Sequence, residues 1–342
     1  MPNKSFWITI SAMNEPITDS AGSLQRKLTV ILGGSGFIGT RLTSLLREQG
    51  LAVRIGDLRS SEAFPGLWTG CDVRRHETLN QLFRGASAVV NLAAEHRDDV
   101  RPLSRYHDTN VKGAEQVCMA ARQAGIDKMV FTSSVAVYGL HPYPTGEDGP
   151  FEPFNEYGKT KLDAEGVYRA WAAESPSRSL VIVRPTVVFG EGNRGNVYNL
   201  LRQVASGRFL MVGSGKNAKS MAYVGNVAAF LAHALAMGPG IHIFNYVDGP
   251  DMSTWDLIAY VKQCLGIAGK THTIPKPVAT AGSYLLDVAA RLSGRSFPIS
   301  AVRIRKFCAN TQFRAELVGR SGFAPPFSLN EGLARTLHYE FH

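Results

Sequence analysis

Cysteine is scarce in this chain: four in 342 residues (Cys71, Cys118, Cys264, Cys308), far apart and without a C-x-x-C pair. That spacing argues against a zinc ribbon or a dithiol centre, gives no metal site, and fits buried thiols in a reducing compartment. Long apolar runs are missing as well. No stretch approaches the roughly 18 apolar residues of a membrane span. The short apolar stretch from Phe6 to Ile10 is too brief for a signal-peptide core, so a soluble, cytoplasmic protein is expected. Acidic residues are in deficit, 28 against 37 lysines and arginines, which leaves a net charge of +9. Such a balance bears on solubility or on anionic partners, not on fold. No nucleic-acid module or interleaved aromatic–basic pattern accompanies it, so nucleic acid is not an expected partner. The excess is concentrated, however. Arg291, Arg295, Arg303, Arg305, Lys306, Arg314 and Arg320 share a stretch whose single acid is Glu316, which points to an anionic ligand.

What is present is an ordinary globular composition, 44% apolar and 19% charged. Residues 1–26 read as a flexible extension. From Lys27 to Gly190, short β-branched runs alternate with helical patterns, as in βαβ units on a parallel sheet. Leu28–Leu32, Leu51–Ile55, Ala88–Leu92, Lys128–Thr132 and Ser179–Arg184 are expected strands, and Leu42–Gln49 an expected helix stopping at Gly50. After Gly190 the elements shorten and glycine, asparagine and basic residues punctuate them. The expected fold class is therefore α/β, a Rossmann-type doubly wound parallel sheet (27–190) with a smaller mixed C-terminal substrate lobe (191–342). The run from Ile241 to Val247 is expected to return to the sheet. Val278–Leu292 has a helical pattern too short for a bilayer, read as a packing helix, with an interfacial helix as the other reading.

The run Gly33-Gly-Ser-Gly-Phe-Ile-Gly39 follows the first strand directly and opens the first helix. It satisfies both G-x-G-x-x-G and G-x-x-G-x-x-G. A dinucleotide needs a tight turn there, a bare backbone beside its pyrophosphate and close helix–strand packing. The phosphates would sit on the helix N-terminus. Asp57, at the end of the second strand, stands where an acid bonds the adenosine ribose; the bland alternative is a turn aspartate. An acid there repels a 2′-phosphate, which favours NAD over NADP, although Arg59 pulls the other way.

Tyr157-Gly-Lys-Thr-Lys161 places a phenol and an ammonium four residues apart, on one face of a helix. A lysine cation favours phenolate and lowers the phenol's pKa, as proton exchange with an alcohol or ketone requires. Alone, that spacing is a common surface accident. Upstream, Phe131-Thr-Ser-Ser-Val-Ala-Val-Tyr-Gly139 puts hydroxyls at the carboxyl end of an expected strand, where open α/β sheets hold ligands. Ser134 could donate to the same substrate oxygen, or could merely cap a turn.

Taken in order, the glycine run, Asn91-Leu-Ala-Ala94, Asp108-Thr-Asn-Val111, the Ser-Ser-x-x-x-Tyr-Gly run, Tyr-x-x-x-Lys and Arg184-Pro185 resemble the extended short-chain dehydrogenases/reductases. The resemblance implies a triad: Tyr157 as acid and base, Lys161 lowering its pKa and holding the nicotinamide ribose, Ser134 orienting the substrate. It further implies cofactor contacts from Gly33, Gly36, Phe37, Ile38, Gly39 and Asp57, then Asp72 and Val73 on the adenine side. Leu92, Ala93, Ala94, Tyr157, Lys161 and Pro185 complete that set, and Asn110 would support the active-site helix. The members nearest in pattern are nucleotide-sugar 4-epimerases and 4-keto-reductases of polysaccharide biosynthesis, often homodimeric. On that likeness Asn196, Lys219 and Arg303 would bind a UDP-linked sugar; Lys219 stands where arginine is usual. Dehydration is not expected, because Ser133-Ser134-Val135 lacks the acidic pair of the sugar 4,6-dehydratases. Ile274-Pro-Lys-Pro277 also resembles 3β-hydroxysteroid dehydrogenase-like members, the second alternative after a keto-sugar reductase.

Overall fold

The computed structural model describes residues 27–97, 100–281 and 308–342. Seven parallel strands form the central sheet: β1 (Leu28–Leu32), β2 (Ala52–Asp57), β3 (Trp68–Gly70), β4 (Ala86–Asn91), β5 (Lys128–Thr132), β6 (Ser179–Pro185) and, much later in the chain, β10 (Gly240–Tyr246). Their spatial order is β10-β6-β5-β4-β1-β2-β3. The order reverses between β1 and β4, and in open α/β sheets that reversal opens a crevice at the carboxyl ends.

Both faces of the sheet are covered. Helices α1 (Phe37–Glu48) and α7 (Val224–Ala234) pack Leu42, Leu46, Val227, Phe230 and Leu231 against Ile31, Val90, Val130 and Val181. On the other face α2 (His76–Phe83), α4 (Gly113–Ala124) and α5 (Glu156–Ala173) pack Leu79, Leu82, Val117, Tyr168 and Trp171 against Val30, Leu32, Val89 and Phe131. Successive β1 residues thus enter opposite cores, which is why that strand reads as one unbroken apolar run. A short helix α3 (Ser104–His107) leads into a π-turn, Asp108–Lys112, before α4. Strand β3 went unforeseen: two half-buried residues and an exposed glycine carry no alternation, and pairing with Ile55–Asp57 is what makes them a strand. Helix α1 begins five residues before the expected Leu42, because the glycine turn itself starts it.

The second lobe is built on β7 (Val187–Phe189), β9 (Ala218–Tyr223) and β11 (Asp248–Ser253) as one small mixed sheet, and β8 (Met211–Val212) with β12 (Thr273–Ile274) as another. Helices α6 (Asn196–Ala205), α8 (Thr254–Cys264) and α9 (Leu329–Phe341) close a third core with Phe189, Met221 and Tyr223. Residues 276–281 are helical; the remainder of the expected helix to Leu292 lies outside the described residues, as do residues 1–26.

One polar contact runs through the core. Glu165 on α5 and Arg184 on β6 are 1% and 0% exposed and meet through two bonds of 2.8 and 2.6 Å. Arg184 Nη1 donates to the Tyr138 hydroxyl at 2.5 Å, and that hydroxyl donates to Asn245 Oδ1 on β10 at 2.8 Å. Removing one member strands a buried charge, at about 3–5 kcal/mol, whereas replacing both by apolar residues of like volume is often close to neutral. Glu165→Leu and Arg184→Met are each expected to lose that much in urea unfolding, and the two combined to lose less than either. Additive losses in that double-mutant cycle would mean the two side chains act independently.

Candidate active site

The glycine turn is sterically obligatory. Gly33 has φ +73°, and a Cβ there would lie 2.8 Å from the Ala93 nitrogen. At Gly39 a Cβ would come within 2.5 Å of Gly34 Cα, so helix α1 lies directly on the turn that starts it. Gly36 is the N-cap of α1 and offers no side-chain acceptor to the helix's first N–H groups, the arrangement that receives an anion. Phe37 and Ile38 form the first turn, half-buried, with Phe37 reaching toward Gly190. Asp57 Oδ2 accepts from the Ser35 N–H at 3.1 Å and Oδ1 from the Arg59 N–H at 3.0 Å. The turn-aspartate reading is thus realised, and the carboxylate it fixes stands at the glycine turn with lone pairs to spare for ribose hydroxyls. Asp72 is clamped by Arg74 at 2.6–3.2 Å, which holds its carboxyl below the ordinary value. Val73 is buried, in contact range of any Cβ at Gly113. Leu92, Ala93 and Ala94 follow β4, their path set by Asn91, whose Oδ1 accepts from the Ala93 N–H and whose Nδ2 donates to the Tyr168 hydroxyl. Pro185 ends β6.

These residues fit a dinucleotide by geometry: an uncapped helix N-terminus, a cradle that a Cβ would fill, and an acid at the next strand end. A further sign lies deeper. The hydroxyl oxygens of Thr132, Ser133 and Thr186 are buried at the ends of β5 and β6 and have no partner among the described residues. Orphaned buried hydroxyls in a row are what a polar ligand would satisfy.

Ser134, Tyr157 and Lys161 converge at the same strand ends. Ser134 caps a short 3₁₀ turn, its Oγ accepting from the Ala136 N–H at 3.1 Å, and its hydroxyl is near enough to the Tyr157 phenol to draw that group's pKa down. Gly158 explains how α5 comes so near: a Cβ there would sit 2.4 Å from the Ala136 carbonyl oxygen. Asn155 starts the helix by accepting from the Gly158 N–H at 2.8 Å. Lys161 is 2% exposed, its Nζ 4.2 Å from the centroid of the Phe131 ring. Asn110, in the π-turn, brackets the Glu95 backbone and donates to Thr160 Oγ1 at 3.0 Å, tying the β4 end to α5. π-turns of this kind recur at functional sites.

The electrostatics differ from the expectation that Lys161 simply lowers the phenol. Burial pushes Tyr157 up, and the Ser134 hydroxyl pulls it partly back. Lys161 itself falls to about 7, because burial penalises the ammonium more than Glu165, one turn on, supports it. Burial thus works against both charges, and a cation bound nearby would act on the phenol.

The substrate candidates are less gathered. Asn196 is exposed at the start of α6, under a Gly195 N-cap without a side-chain acceptor. Lys219 is half-buried on β9 and donates to the Ala309 carbonyl at 3.2 Å, so its ammonium is engaged within the lobe. Arg303 lies outside the described residues, with most of the basic stretch; Arg314 and Arg320 both lean toward Glu316, at 3.9 and 3.8 Å. Sequence reasoning missed Glu165 and Gly158. The first continues the 157, 161 spacing by four more residues, which was a readable signal; the second needed the neighbouring turn.

A family model for the NAD dependent epimerase/dehydratase family matches residues 29–246. Over 317 residues the chain is 46% identical to an N-acetyl-alpha-D-glucosaminyl-diphospho-ditrans,octacis-undecaprenol 4-epimerase of Escherichia coli O157:H7, covering 91% of this chain and 95% of that one. It is 25% identical to a 3beta-hydroxysteroid-dehydrogenase/decarboxylase of Arabidopsis thaliana, over 90% of this chain and 78% of that one. The fold matches that of the UDP-glucose 4-epimerase of Thermotoga maritima, solved with UDP-glucose, with a TM-score of 0.73 at 21% identity over 91% and 98% of the two chains.

Lys161 has a stability signature apart from activity. Its folded pKa lies below the unfolded value of 10.5. The unfolded chain thus binds the extra proton between pH 7 and 10.5, and the lysine's cost to folding is full below pH 7 and fades as pH rises to 10.5. Lys161→Met is expected to melt higher than the parent at pH 7 by scanning calorimetry, with the gap narrowing toward pH 10. A gap independent of pH would contradict the depressed lysine.

Proposed function

The chain belongs to the NAD-dependent epimerase/dehydratase family and is an NAD-using enzyme of the extended short-chain dehydrogenase/reductase type; from that premise we propose that it inverts C4 of a sugar carried on a diphosphate. The observation that carries the reading is the convergence of Ser134, Tyr157 and Lys161 at the ends of β5 and α5, with no carboxylate in the Ser133-Ser134-Val135 run. The diphosphate is the chemical unit common to a nucleotide sugar and to the lipid-linked sugar of the E. coli relative.

Bound NAD supplies a hydride acceptor that later returns the hydride. The chain's own residues do the rest. Tyr157 takes the proton of the C4 hydroxyl as the C4–H bond gives up its electron pair, and a 4-keto sugar results. Ser134, beside the Tyr157 phenol, holds the substrate oxygen on the line of proton transfer. On return of the hydride to the opposite face, Tyr157 gives the proton back and the hydroxyl reappears inverted. Lys161, when charged, steadies the phenolate that takes the proton in the first step and that is restored when the second step returns it; Asp57 and the Gly33–Gly39 turn hold the dinucleotide. Buried hydroxyls of Thr132 and Ser133 line the same end of the sheet. No net redox change follows, so each catalytic cycle leaves the cofactor as it began. Asn196, Lys219 and Arg303 are the proposed contacts of the diphosphate end. In this reading the chain divides at about residue 190 into a cofactor half and a substrate half, and pairs as a homodimer.

The assay supplies N-acetylglucosamine on UDP and on a short polyprenyl diphosphate, and monitors the C4 epimer. Conversion of either without consumption of added NADH or NADPH is the expected result. Stoichiometric oxidation of a reduced cofactor with a 4-keto sugar, and no epimer, would replace the reading by a reductase. Tyr157→Phe is expected to lower turnover roughly 10²–10⁴-fold while NAD affinity, read by fluorescence titration, stays near that of the parent.

A further inference from the structure

Residues 309–314 run between the two lobes and are bonded to both. On one side they lie along β9. Asn310 Oδ1 accepts from the Ala218 N–H at 2.9 Å, the Thr311 N–H donates to the Ala218 carbonyl at 3.1 Å, and the Thr311 carbonyl accepts from the Ser220 N–H at 2.9 Å. The Phe313 N–H then donates to Ser220 Oγ at 2.9 Å, and Ser220 is buried. On the other side they pair with the loop that follows the Ser134 turn. The Gln312 carbonyl accepts from the Thr145 N–H at 3.1 Å, and the Arg314 N–H donates to the Thr145 carbonyl at 2.9 Å. The Arg314 carbonyl accepts from Asn245 Nδ2 at 2.9 Å, which joins this strap to the Glu165–Arg184–Tyr138 network.

These bonds decide where the Phe313 side chain goes. Its neighbours on the strap turn elsewhere: Gln312 donates to Asp251 Oδ2 on β11 at 3.0 Å, and Arg314 leans toward Glu316. Phe313 packs instead on Val135, Val137 and Tyr138, with Leu162 of α5 closing the same small cluster. Its ring centroid is 6.1 Å from that of Tyr138. Val135–Val137 is the 3₁₀ turn that Ser134 caps. Its own bonds are few, from the Val137 N–H to the Ser134 carbonyl at 3.3 Å and from the Tyr138 N–H to the Val135 carbonyl at 3.1 Å. So short a turn has poor internal geometry, and packing must hold its shape. Leu162 directly follows Lys161 in α5. The cluster therefore rests on the serine's turn and on the helix of Tyr157 and Lys161, and the second lobe supplies its cover.

We propose that Phe313 is a positioning residue: it wedges the Val135–Tyr138 turn so that the Ser134 hydroxyl stays aimed at the substrate oxygen. Through residues 309–314 that aim depends on β9, the strand of the substrate lobe that carries Lys219. Phe313 acts through the turn and not on the reacting atoms. The inference rests on the reading of Ser134, Tyr157 and Lys161 given above, and it adds that the second lobe frames the serine as well as binding substrate.

Two readouts keep this hold separate from the epimerase assay. Hydrogen exchange of the whole chain, without substrate, is followed by mass spectrometry over residues 134–138. Phe313→Ala should speed exchange there about tenfold while peptides from β1 and α1 keep the parent's rates. Unchanged exchange over 134–138 overturns the proposal whether or not the parent epimerises. In the assay, Phe313→Ala should lower kcat roughly 10–10²-fold with KM and NAD affinity little changed. The rising limb of kcat with pH should move to higher pH, because a displaced Ser134 hydroxyl no longer draws the Tyr157 phenol down. Phe313→Leu, which keeps apolar bulk, should recover most of the loss. If Phe313→Ala does not fold, Ser220→Ala frees the strap without touching the turn and should show the same pattern at smaller size. The deciding comparison is with Ser134→Ala: adding Phe313→Ala to it should lower kcat no further, since the hydroxyl to be aimed is gone. A loss that adds in full to that of Ser134→Ala overturns the proposal, as does a kcat of Phe313→Ala equal to the parent's. A parent without turnover would remove the epimerase reading, and the exchange result alone would then decide the hold.

Discussion

The buried pair of Glu165 and Arg184 is the constraint on which the site's geometry depends. Two charges in the core cost several kcal/mol each before their mutual attraction offsets the loss. Apolar residues would pack there with less penalty, but they would not fix the rotation of α5 about its own axis. A bidentate guanidinium–carboxylate contact does, because both bonds must be planar with the fork. Glu165, Lys161 and Tyr157 stand at intervals of four on that helix, so fixing the last of the stripe aims the other two. Arg184 in turn holds Tyr138, and Tyr138 holds Asn245 on β10. One network therefore joins helix α5, the turn after Ser134 and the strand that follows the second lobe's insertion.

The same burial that orders the site works against its charges. Lys161 is pushed to about 7 and Tyr157 upward, each toward the neutral form. For proton exchange this is a poised state. A neutral phenol can give a proton but cannot take one, so acceptance of the C4 proton needs a positive charge beside Tyr157 to draw it toward phenolate; Lys161, at about 7, is the group that small changes in nearby charge can recharge. Glu165 supports the ammonium from one turn away while committed to Arg184, so its charge is only partly available to the lysine.

How much of this was legible in the sequence follows from which interactions are local. The strands of the central sheet are apolar on both faces, and their runs were readable at Leu28–Leu32 and Lys128–Thr132 almost to the residue. The glycine turn was readable because its spacing is itself the constraint. Helix α5 was legible only through its chemistry: its buried positions include Thr160, Lys161 and Glu165, so hydrophobic periodicity barely marks it. Strand β3 was hidden because nothing in Trp68–Gly70 is strand-like until β2 lies beside it. Lys219 was read from its motif as a phosphate contact, and its direction toward Ala309 depends on a segment ninety residues away. Long-range closure of that kind leaves no local trace.

The proposed chemistry places a demand on the second lobe that the first cannot meet. Ser134, Tyr157 and Lys161 are fixed by α5 and β5, so they address a sugar carbon from one side only. Inversion requires the 4-keto sugar to present its other face to the same residues before the hydride returns. The ring must therefore be held loosely and its diphosphate tightly, by groups that neutralise charge without fixing a plane. At position 219 lysine is such a group, a point charge on a flexible stem, where the usual arginine would fix orientation as well. A lobe that anchors the carrier and leaves the sugar free to turn is what separates an epimerase from a reductase built on the same triad.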